Sequence, residues 1–220
     1  MELQEALYTT RAMRRVTSEA IPMESQARIL DAAIRAPSGG NQQGWRFLLV
    51  DDAGTIATLG PLYRDAMDQL WATVYKPRID AAAAAPKTEE SRQFDRVQRS
   101  AQWLADNFET VPLYLFAFSR YDPSGSSIYP AVWSAMLAAR GEGIGTCLTA
   151  VLSAFHRDEL LELLGVPKDA GWACSACVSF GYPTGRWAVA PRRPVHEVTY
   201  RNRWGEPSGL SVETPLWPPS

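Results

Sequence analysis

Apolar residues recur at the spacing of an amphipathic helix in several parts of the chain. In residues 23–36, Ala27, Leu30, Ala33 and Ile34 fall on one helical face. Residues 92–108 show the same spacing, and in all we predict six helices, over residues 2–9, 23–36, 61–75, 92–108, 130–140 and 156–164. Residues 81–90 stay open between two interpretations, because their alanines favour a helix and Pro86 favours a break.

Continuous apolar runs, rich in β-branched and aromatic residues, predict four strands. They cover residues 45–50, 111–119, 144–149 and 172–181. Helices between strands usually indicate a parallel, doubly wound sheet. Here, however, the glycines of residues 141–145 follow a helix and enter a strand, the reverse of a dinucleotide-binding loop.

The most informative loop lies between the second helix and the first strand, Ala-Pro-Ser-Gly-Gly-Asn-Gln-Gln-Gly-Trp-Arg-Phe over residues 36–47. Pro37 disfavours helical geometry in the residue before it, and Gly39 and Gly40 permit backbone angles that other residues avoid. Ser38, Asn41 and Gln43 add hydrogen-bonding groups. The loop is either an ordinary turn or a polar cradle for a flat cofactor.

Arginines cluster in two short segments, Arg11-Ala12-Met13-Arg14-Arg15 and Pro191-Arg192-Arg193-Pro194. A guanidinium group keeps its charge at ordinary pH and presents donors in a plane that matches two phosphate oxygens. Each cluster is therefore either a solvated surface or a phosphate site.

Taken in order, these motifs resemble the FMN-dependent nitroreductase family. The resemblance rests on Arg-x-x-Arg-Arg at residues 11–15, the loop at 36–47, Gly-Ser-Ser-Ile-Tyr-Pro-Ala-Val at 125–132, Gly-Ile-Gly-Thr at 143–146, and Pro-Arg-Arg-Pro at 191–194. It covers nearly the whole chain.

The resemblance implies an α+β sandwich: a mixed, mostly antiparallel sheet of four or five strands with helices on both faces. It implies one domain over residues 1–220 and an intimate homodimer with exchange of the C-terminal arm. Residues 194–220 would form that arm on the partner subunit. Their tryptophans and aliphatic residues show no regular period, so the alternative is a tail that wraps its own domain.

The resemblance also implies cofactor-binding residues. Those matched to the FMN phosphate are Arg11, Arg15 and Arg192, with Arg14 and Arg193 as further candidates that could instead form surface ion pairs. The loop matched to the neighbouring subunit's flavin contributes Pro37, Ser38, Gly39, Asn41 and Gln43. Leu148 and Thr149 match the strand end beside the flavin ring. Ala12 departs from the serine that many relatives carry, so a hydroxyl contact is absent there.

The implied function is hydride transfer from NADH or NADPH, through non-covalently bound FMN, to an electron-poor acceptor such as a nitroaromatic, quinone or enone. The flavin carries the chemistry, so no side chain is assigned as a catalytic acid, base or nucleophile. A deazaflavin-using reductase and a flavin-binding sensor or storage protein without turnover remain alternatives. A dehalogenase is disfavoured, because its expected Glu, Tyr and Lys set is missing around Tyr63, Tyr75 and Lys76.

Residues 61–108 are the expected lid-like helical insertion over the flavin. Trp71 and Tyr75 lie four residues apart on one helical face and are either substrate contacts or part of the core. For Phe94 and Phe108 we expect the core.

Composition and charge bear on the kind of partner and on the location of the protein. The chain has 220 residues, 46% hydrophobic, and a net charge of -2, which disfavours a nucleic-acid partner. No apolar span predicts a membrane helix, and the acidic amino terminus leads us to expect a cytoplasmic protein.

Cys174 and Cys177 form a C-x-x-C without metal-ligand spacing to either histidine, so no metal is expected. Three residues apart on a strand, they should point to opposite faces and be buried.

Overall fold

The computed structural model describes residues 1–218 of the chain. These residues form two compact units, Ala12–Gly185 and a smaller one made of Met1–Arg11 with the chain from Arg186 onward. The expectation of a single domain over residues 1–220 stays a prediction.

The larger unit contains all four strands and most of the helices. In chain order its elements are α2 (Met23–Ala33), β1 (Trp45–Val50), α3 (Ala53–Ala72), α4 (Lys76–Ala84), α5 (Glu89–Asp106), β2 (Leu113–Ser119), α6 (Ile128–Gly141), β3 (Gly145–Thr149), α7 (Val151–Phe155), α8 (Arg157–Leu163) and β4 (Ala173–Gly181). Helix α1 (Leu3–Thr9) belongs to the smaller unit.

The sheet has the strand order β1-β2-β4-β3, and every pair of neighbouring strands is antiparallel. Trp45 on β1 pairs with Ser119 on β2, which pairs with Ala173 on β4. A parallel bridge also joins Ala12 to Thr146 of β3. The predicted α+β class and the mostly antiparallel sheet of four or five strands are confirmed, with four strands present in residues 1–218.

Two hydrophobic clusters pack against opposite faces of the sheet. Strand β2 is buried along its whole length, so its alternating side chains serve both clusters. Leu113, Leu115 and Ala117 contact the cluster that includes α2 and α6. Tyr114, Phe116 and Phe118 join the cluster beneath α3, α5, α7 and α8. Each large side chain buried in this way contributes about 1.5–3 kcal/mol, so helices on both faces stabilise the sheet.

Helix α3 differs most from its prediction. It begins at Ala53, eight residues before the expected start, because Asp52 caps it by accepting a hydrogen bond from Thr55 N at 2.7 Å. Pro61 therefore lies inside the helix and does not begin it.

Residues 81–90, for which the sequence left a helix and a break open, contain both. Helix α4 ends at Ala84, and α5 begins after Thr88, which caps it by accepting a hydrogen bond from Ser91 N. The short helix α7 was not predicted.

The smaller unit combines α1 with the carboxyl-terminal segment. Ala190 N donates to Tyr8 O at 3.4 Å, and the rings of Tyr8 and Trp217 lie 5.9 Å apart. Many apolar side chains here are exposed, among them Val198 (61%), Trp204 (91%) and Leu216 (71%). Residues 219 and 220 of the predicted C-terminal arm lie outside the described residues.

Candidate functional site

The amino-terminal arginine motif runs along the edge of the sheet beside β3. Met13 N donates to Thr146 O at 2.8 Å, and Thr17 N donates to Tyr182 O at 2.8 Å. The side chains of Met13 and Val16 are buried and anchor the segment to the core. Arg14 and Arg15 are thus held in place by the residues on either side of them.

The two neighbouring arginines have different environments. Arg14 is half-buried and donates from Nη1 to Ser100 Oγ on α5 at 3.3 Å. Arg15 is exposed, with its guanidinium carbon 5.8 Å from the centre of the Trp103 ring. The inward-facing cation is therefore Arg14, which the motif had placed second to Arg15.

Arg14 lies close enough to two buried residues to influence their ionisation. Burial raises the pKa of the Cys147 thiol, while the charge of Arg14 and a hydrogen bond from it act in the opposite direction. Burial likewise raises the pKa of Tyr63, opposed by a hydrogen bond with the Thr149 side chain and by the Arg14 charge. Tyr63 is therefore a neutral phenol at neutral pH.

These residues meet where β3 ends. Leu148 is 39% exposed, and Thr149 Oγ1 accepts from Val151 N at 3.3 Å at the start of α7. The structure thus places Arg14, Tyr63 and Thr149 in one group, with Ser100 at its side. Sequence reasoning missed Tyr63 and Ser100 as members, because only the packing of α3 and α5 on this face of the sheet brings them to β3.

The polar loop at residues 37–43 is strongly turned. Gly40, Asn41 and Gln43 have φ angles of 57°, 54° and 49°, in the left-handed region that is uncommon for residues other than glycine. Ser38 Oγ accepts from Gln43 N at 3.0 Å, and Gly39 N donates to Ser127 Oγ at 3.3 Å. Gln43 Nε2 also donates to Asn41 Oδ1 at 3.2 Å. Pro37 and the side chains of Asn41 and Gln43 are exposed, so the loop offers polar groups to a ligand.

The loop and the end of β3 lie on opposite edges of the sheet. The loop leads into β1, and β2 and β4 separate β1 from β3. Three strand spacings amount to about 14 Å across the sheet. One chain therefore does not bring these two predicted halves of the cofactor site together.

The remaining predicted arginines belong to the smaller unit. Arg11, Arg192 and Arg193 are exposed, and Arg192 Nη1 donates to Pro191 O at 2.9 Å. The hydrogen bond between Ala190 and Tyr8 brings together the segments that carry Arg11 and Arg192. Among residues 1–218, none of the five predicted arginines forms an ion pair with a carboxylate.

Trp71 lies at the end of α3, and Tyr75 lies just before α4, so the prediction that they share one helical face is wrong: α3 ends at Ala72. Both residues contact α5. Trp71 Nε1 donates to Gln102 Oε1 at 2.9 Å, and the two rings lie 5.2 Å apart. Both side chains are half-buried, so their surfaces are shared between packing and solvent. Phe94 and Phe108 are 2% and 0% exposed, which confirms the core prediction for them.

The cysteine prediction is partly wrong. Cys147, Cys174 and Cys177 are buried free thiols, as expected. However, Phe118 pairs with Cys174 while Ala117 pairs with Ala176, which leaves Ser175 as an extra residue in β4. This β-bulge shifts the alternation, so Cys174 and Cys177 lie in the same hydrophobic cluster and not on opposite faces.

Two further findings apply to residues 1–218. No group of three His, Cys, Asp or Glu side chains in this part of the chain is arranged to hold a metal ion. Within the same residues, every helix is too short or too polar to span a membrane.

Comparison with known proteins adds a second line of evidence. A sequence profile of the nitroreductase family matches residues 7–182. The 5,6-dimethylbenzimidazole synthase of Rhodospirillum rubrum is 29% identical over 194 residues, covering 81% of each chain. An NADH dehydrogenase of Thermus thermophilus is 26% identical over 206 residues, covering 90% of this chain and 95% of its own.

A solved structure supports the same fold. A nitroreductase with bound FMN from Bacteroides fragilis superposes with a TM-score of 0.61 at 21% identity, covering 87% of this chain and 94% of that protein. At this identity the likeness concerns the fold alone.

Proposed function

Because the chain belongs to the nitroreductase family, we propose that it is an FMN-dependent oxidoreductase that passes hydride from NADH or NADPH to an electron-poor small molecule. Nitroaromatics, quinones and enones are the acceptor classes. The nicotinamide leaves before the acceptor enters, so the kinetics are ping-pong. The similarity to the NADH dehydrogenase of Thermus thermophilus supports this proposal.

The observation that carries the proposal is the environment of Arg14. A half-buried guanidinium at the end of β3 has a hydroxyl partner, Ser100, and no carboxylate partner among residues 1–218. Such a group is costly to desolvate unless an anion or another acceptor satisfies it. An anionic cofactor bound beside Thr149 meets that need, so the residues present fit FMN.

FMN, when bound, supplies two-electron transfer between the nicotinamide and the acceptor. The chain's own residues bind and orient it. Arg14 would supply positive charge, and from the sequence resemblance we expect main-chain N–H groups near Leu148 and Thr149 to lie beside the ring. Arg11, Arg15, Arg192 and Arg193 are proposed phosphate ligands from the sequence resemblance. No side chain is assigned a proton-transfer role.

We further propose that the working form is a homodimer. The loop of Pro37, Ser38, Gly39, Asn41 and Gln43 would contact the flavin of the partner subunit, because one chain holds it at the opposite sheet edge from Thr149. The exposed apolar side chains of residues 194–218 support an arm that packs on the partner. Light scattering should then give twice the subunit mass, and removal of residues 194–220 should yield monomers; a full-length monomer would contradict this.

The decisive experiment has two stages. The purified protein is incubated with FMN, desalted and denatured, and the supernatant is assayed for flavin fluorescence. The flavin-loaded protein is then mixed anaerobically with NADH or NADPH, and bleaching of the flavin absorbance is followed by stopped flow. Rapid bleaching, and reoxidation by an acceptor, support the enzyme; bound flavin without bleaching favours a sensor, and binding of a deazaflavin in place of FMN favours the deazaflavin reductase.

A second candidate function is 5,6-dimethylbenzimidazole synthesis. It is favoured by the 29% identity to the Rhodospirillum rubrum synthase over 81% of both chains. Chromatography of an aerobic reaction mixture for 5,6-dimethylbenzimidazole separates the two functions, because the proposed oxidoreductase does not form this compound.

A further inference from the structure

Two arginines and two aromatic side chains form an exposed patch at one end of the sheet. The guanidinium carbons of Arg46 and Arg120 each lie 5.1 Å from the centre of the Trp172 ring. Arg120 also lies 5.1 Å from the centre of the Tyr121 ring, and Tyr121 is 83% exposed. We call Arg46, Arg120, Tyr121 and Trp172 the arginine–aromatic patch.

Strand register explains why these residues meet. Trp45, Ser119 and Ala173 are paired across β1, β2 and β4. Arg46, Arg120 and Trp172 are the immediate sequence neighbours of those three residues. The patch therefore rests on three adjacent strands of a rigid sheet.

The patch carries unneutralised positive charge. Arg46 Nη1 donates to Trp45 O at 2.7 Å and Arg120 Nη1 to Ala170 O at 3.4 Å. Among residues 1–218, neither guanidinium forms an ion pair with a carboxylate. Two like charges beside one ring repel each other, and a bound dianion relieves that repulsion. A phosphate monoester has the required charge and the oxygen geometry for two guanidinium groups.

The aromatic members add a surface for a flat ring. Trp172 is half-buried against the core and therefore fixed, whereas Tyr121 projects into solvent. Tyr121 has a φ of 59°, in the left-handed region that bulky residues rarely adopt. Planar bases stack on such side chains, so the combination suits a phosphorylated nucleoside.

The patch adjoins the loop that the proposed function places against the flavin. Arg120 N donates to Gly44 O at 2.9 Å, directly after that loop. A cleft of about 150 Å³ runs between them, lined by Ser38, Gly39, Arg120, Tyr121, Ser126 and Ser127 among others. The cleft therefore borders both the loop and the patch.

We propose that the arginine–aromatic patch binds the 2′-phosphoadenosine end of NADPH, so that the enzyme prefers NADPH to NADH. Arg46 and Arg120, both held over Trp172, take the 2′-phosphate, and the exposed Tyr121 takes the adenine ring. NADH carries a neutral 2′-hydroxyl group and gains nothing from the two charges. This inference rests on the proposed function, because it assigns the nucleotide of the same reaction.

The test compares the flavin-loaded wild type with the double variant Arg46→Ala/Arg120→Ala. Calorimetric titration with 2′,5′-ADP and with 5′-AMP measures the site directly. We expect 2′,5′-ADP to bind wild type at least roughly tenfold tighter than 5′-AMP, and the double variant to lose that difference. KM for NADPH should rise in the variant by a larger factor than KM for NADH, so that the preference for NADPH is lost. Arg35→Ala is the matched control, because Arg35 is an exposed arginine already paired with Asp31.

Conservative variants guard against a folding defect. Arg46→Lys/Arg120→Lys retains the charge and should recover part of the 2′,5′-ADP affinity, and Trp172→Phe should retain most of it. Equal binding of the two nucleotides by wild type would overturn the inference. So would loss of dimer in the double variant with unchanged 2′,5′-ADP affinity, since the patch would then be a subunit contact.

The failure of this site is distinguishable from the failure of the proposed function. Arginine-dependent binding of 2′,5′-ADP without flavin reduction would support the site and contradict the oxidoreductase. Flavin reduction with equal KM values for NADH and NADPH, unaffected by the double variant, would support the oxidoreductase and overturn the site.

Discussion

Arg14 and Ser100 are joined by a hydrogen bond of 3.3 Å, although 86 positions separate them in the chain. The bond holds the amino-terminal arginine segment against helix α5, next to the end of β3. It also distinguishes Arg14 from Arg15, whose side chain lies over Trp103 in solvent.

The first prediction follows from this difference. Arg14→Ala should weaken FMN binding by roughly tenfold or more, because a hydrogen bond to a charged group contributes about 1.5–3 kcal/mol. Arg15→Ala should have a smaller effect. The measurement is the dissociation constant of FMN from fluorescence quenching. Arg14→Lys serves as the control that retains charge, and an Arg15→Ala effect exceeding that of Arg14→Ala would reverse the assignment.

The second prediction concerns Trp71 and Tyr75. Trp71→Ala or Tyr75→Ala should change the ratio of kcat/KM between nitroaromatic and quinone acceptors by about fivefold, since a contact worth about 1 kcal/mol in one transition state has that effect. Flavin content per subunit should stay unchanged. Trp71→Phe and Tyr75→Phe retain a ring and should lie near wild type. Unaltered acceptor ratios, together with lower thermal stability, would assign both residues to the core.

The third prediction is a pH dependence of stability. Hydrogen bonds from Arg28 and Ser25 lower the pKa of Glu142 from 4.5 to about 2. Because the folded-state pKa is depressed, the contribution of this carboxylate is fully present above its unfolded-state pKa and is lost as the pH falls towards about 2. Glu142→Gln should thus lower the free energy of unfolding by about 1 kcal/mol at neutral pH.

Urea unfolding across the acid range checks this expectation. The difference between wild type and Glu142→Gln should shrink steadily below about pH 5. Asp31→Asn removes the exposed ion pair between Asp31 on α2 and Arg35, just beyond that helix, and is the matched control. A difference that stayed constant with pH would exclude titration of Glu142 as its source.

The fourth prediction concerns the buried thiols. Burial raises the pKa of Cys147, Cys174 and Cys177, so the reactive thiolate is scarce and shielded. A thiol reagent should therefore label none of the three cysteines in the native protein and all three after denaturation. Rapid native labelling of Cys174 or Cys177 would instead indicate an accessible C-x-x-C and reopen a redox role for it.

Much of the fold was predictable because hydrophobic periodicity reports local burial directly. Strand β1 was predicted with its observed bounds, Trp45–Val50, since a continuous apolar run of that length fits a strand between two layers. Helix α3 was predicted too short, because Gly54 and Thr55 are weak helix formers and the capping role of Asp52 was overlooked.

Local sequence was less informative where a residue distant in the chain determines which way a side chain points. The face on which Cys174 lies depends on the bulge at Ser175, which exists only relative to the pairing partner on β2. Likewise, no spacing in the sequence shows that Tyr63 lies close to Thr149 or that Arg46 and Arg120 share Trp172.

The sequence by itself determined the α+β class, the strands, the polar loop at residues 37–43 and the arginines available to an anion, because these follow from side-chain chemistry and short-range pattern. Tertiary structure alone decided which arginine faces inward and which residues surround the end of β3. It also decided that the loop lies across the sheet from Thr149. Such relationships arise from strand order and helix packing, which join residues far apart in the chain and leave no trace in local periodicity.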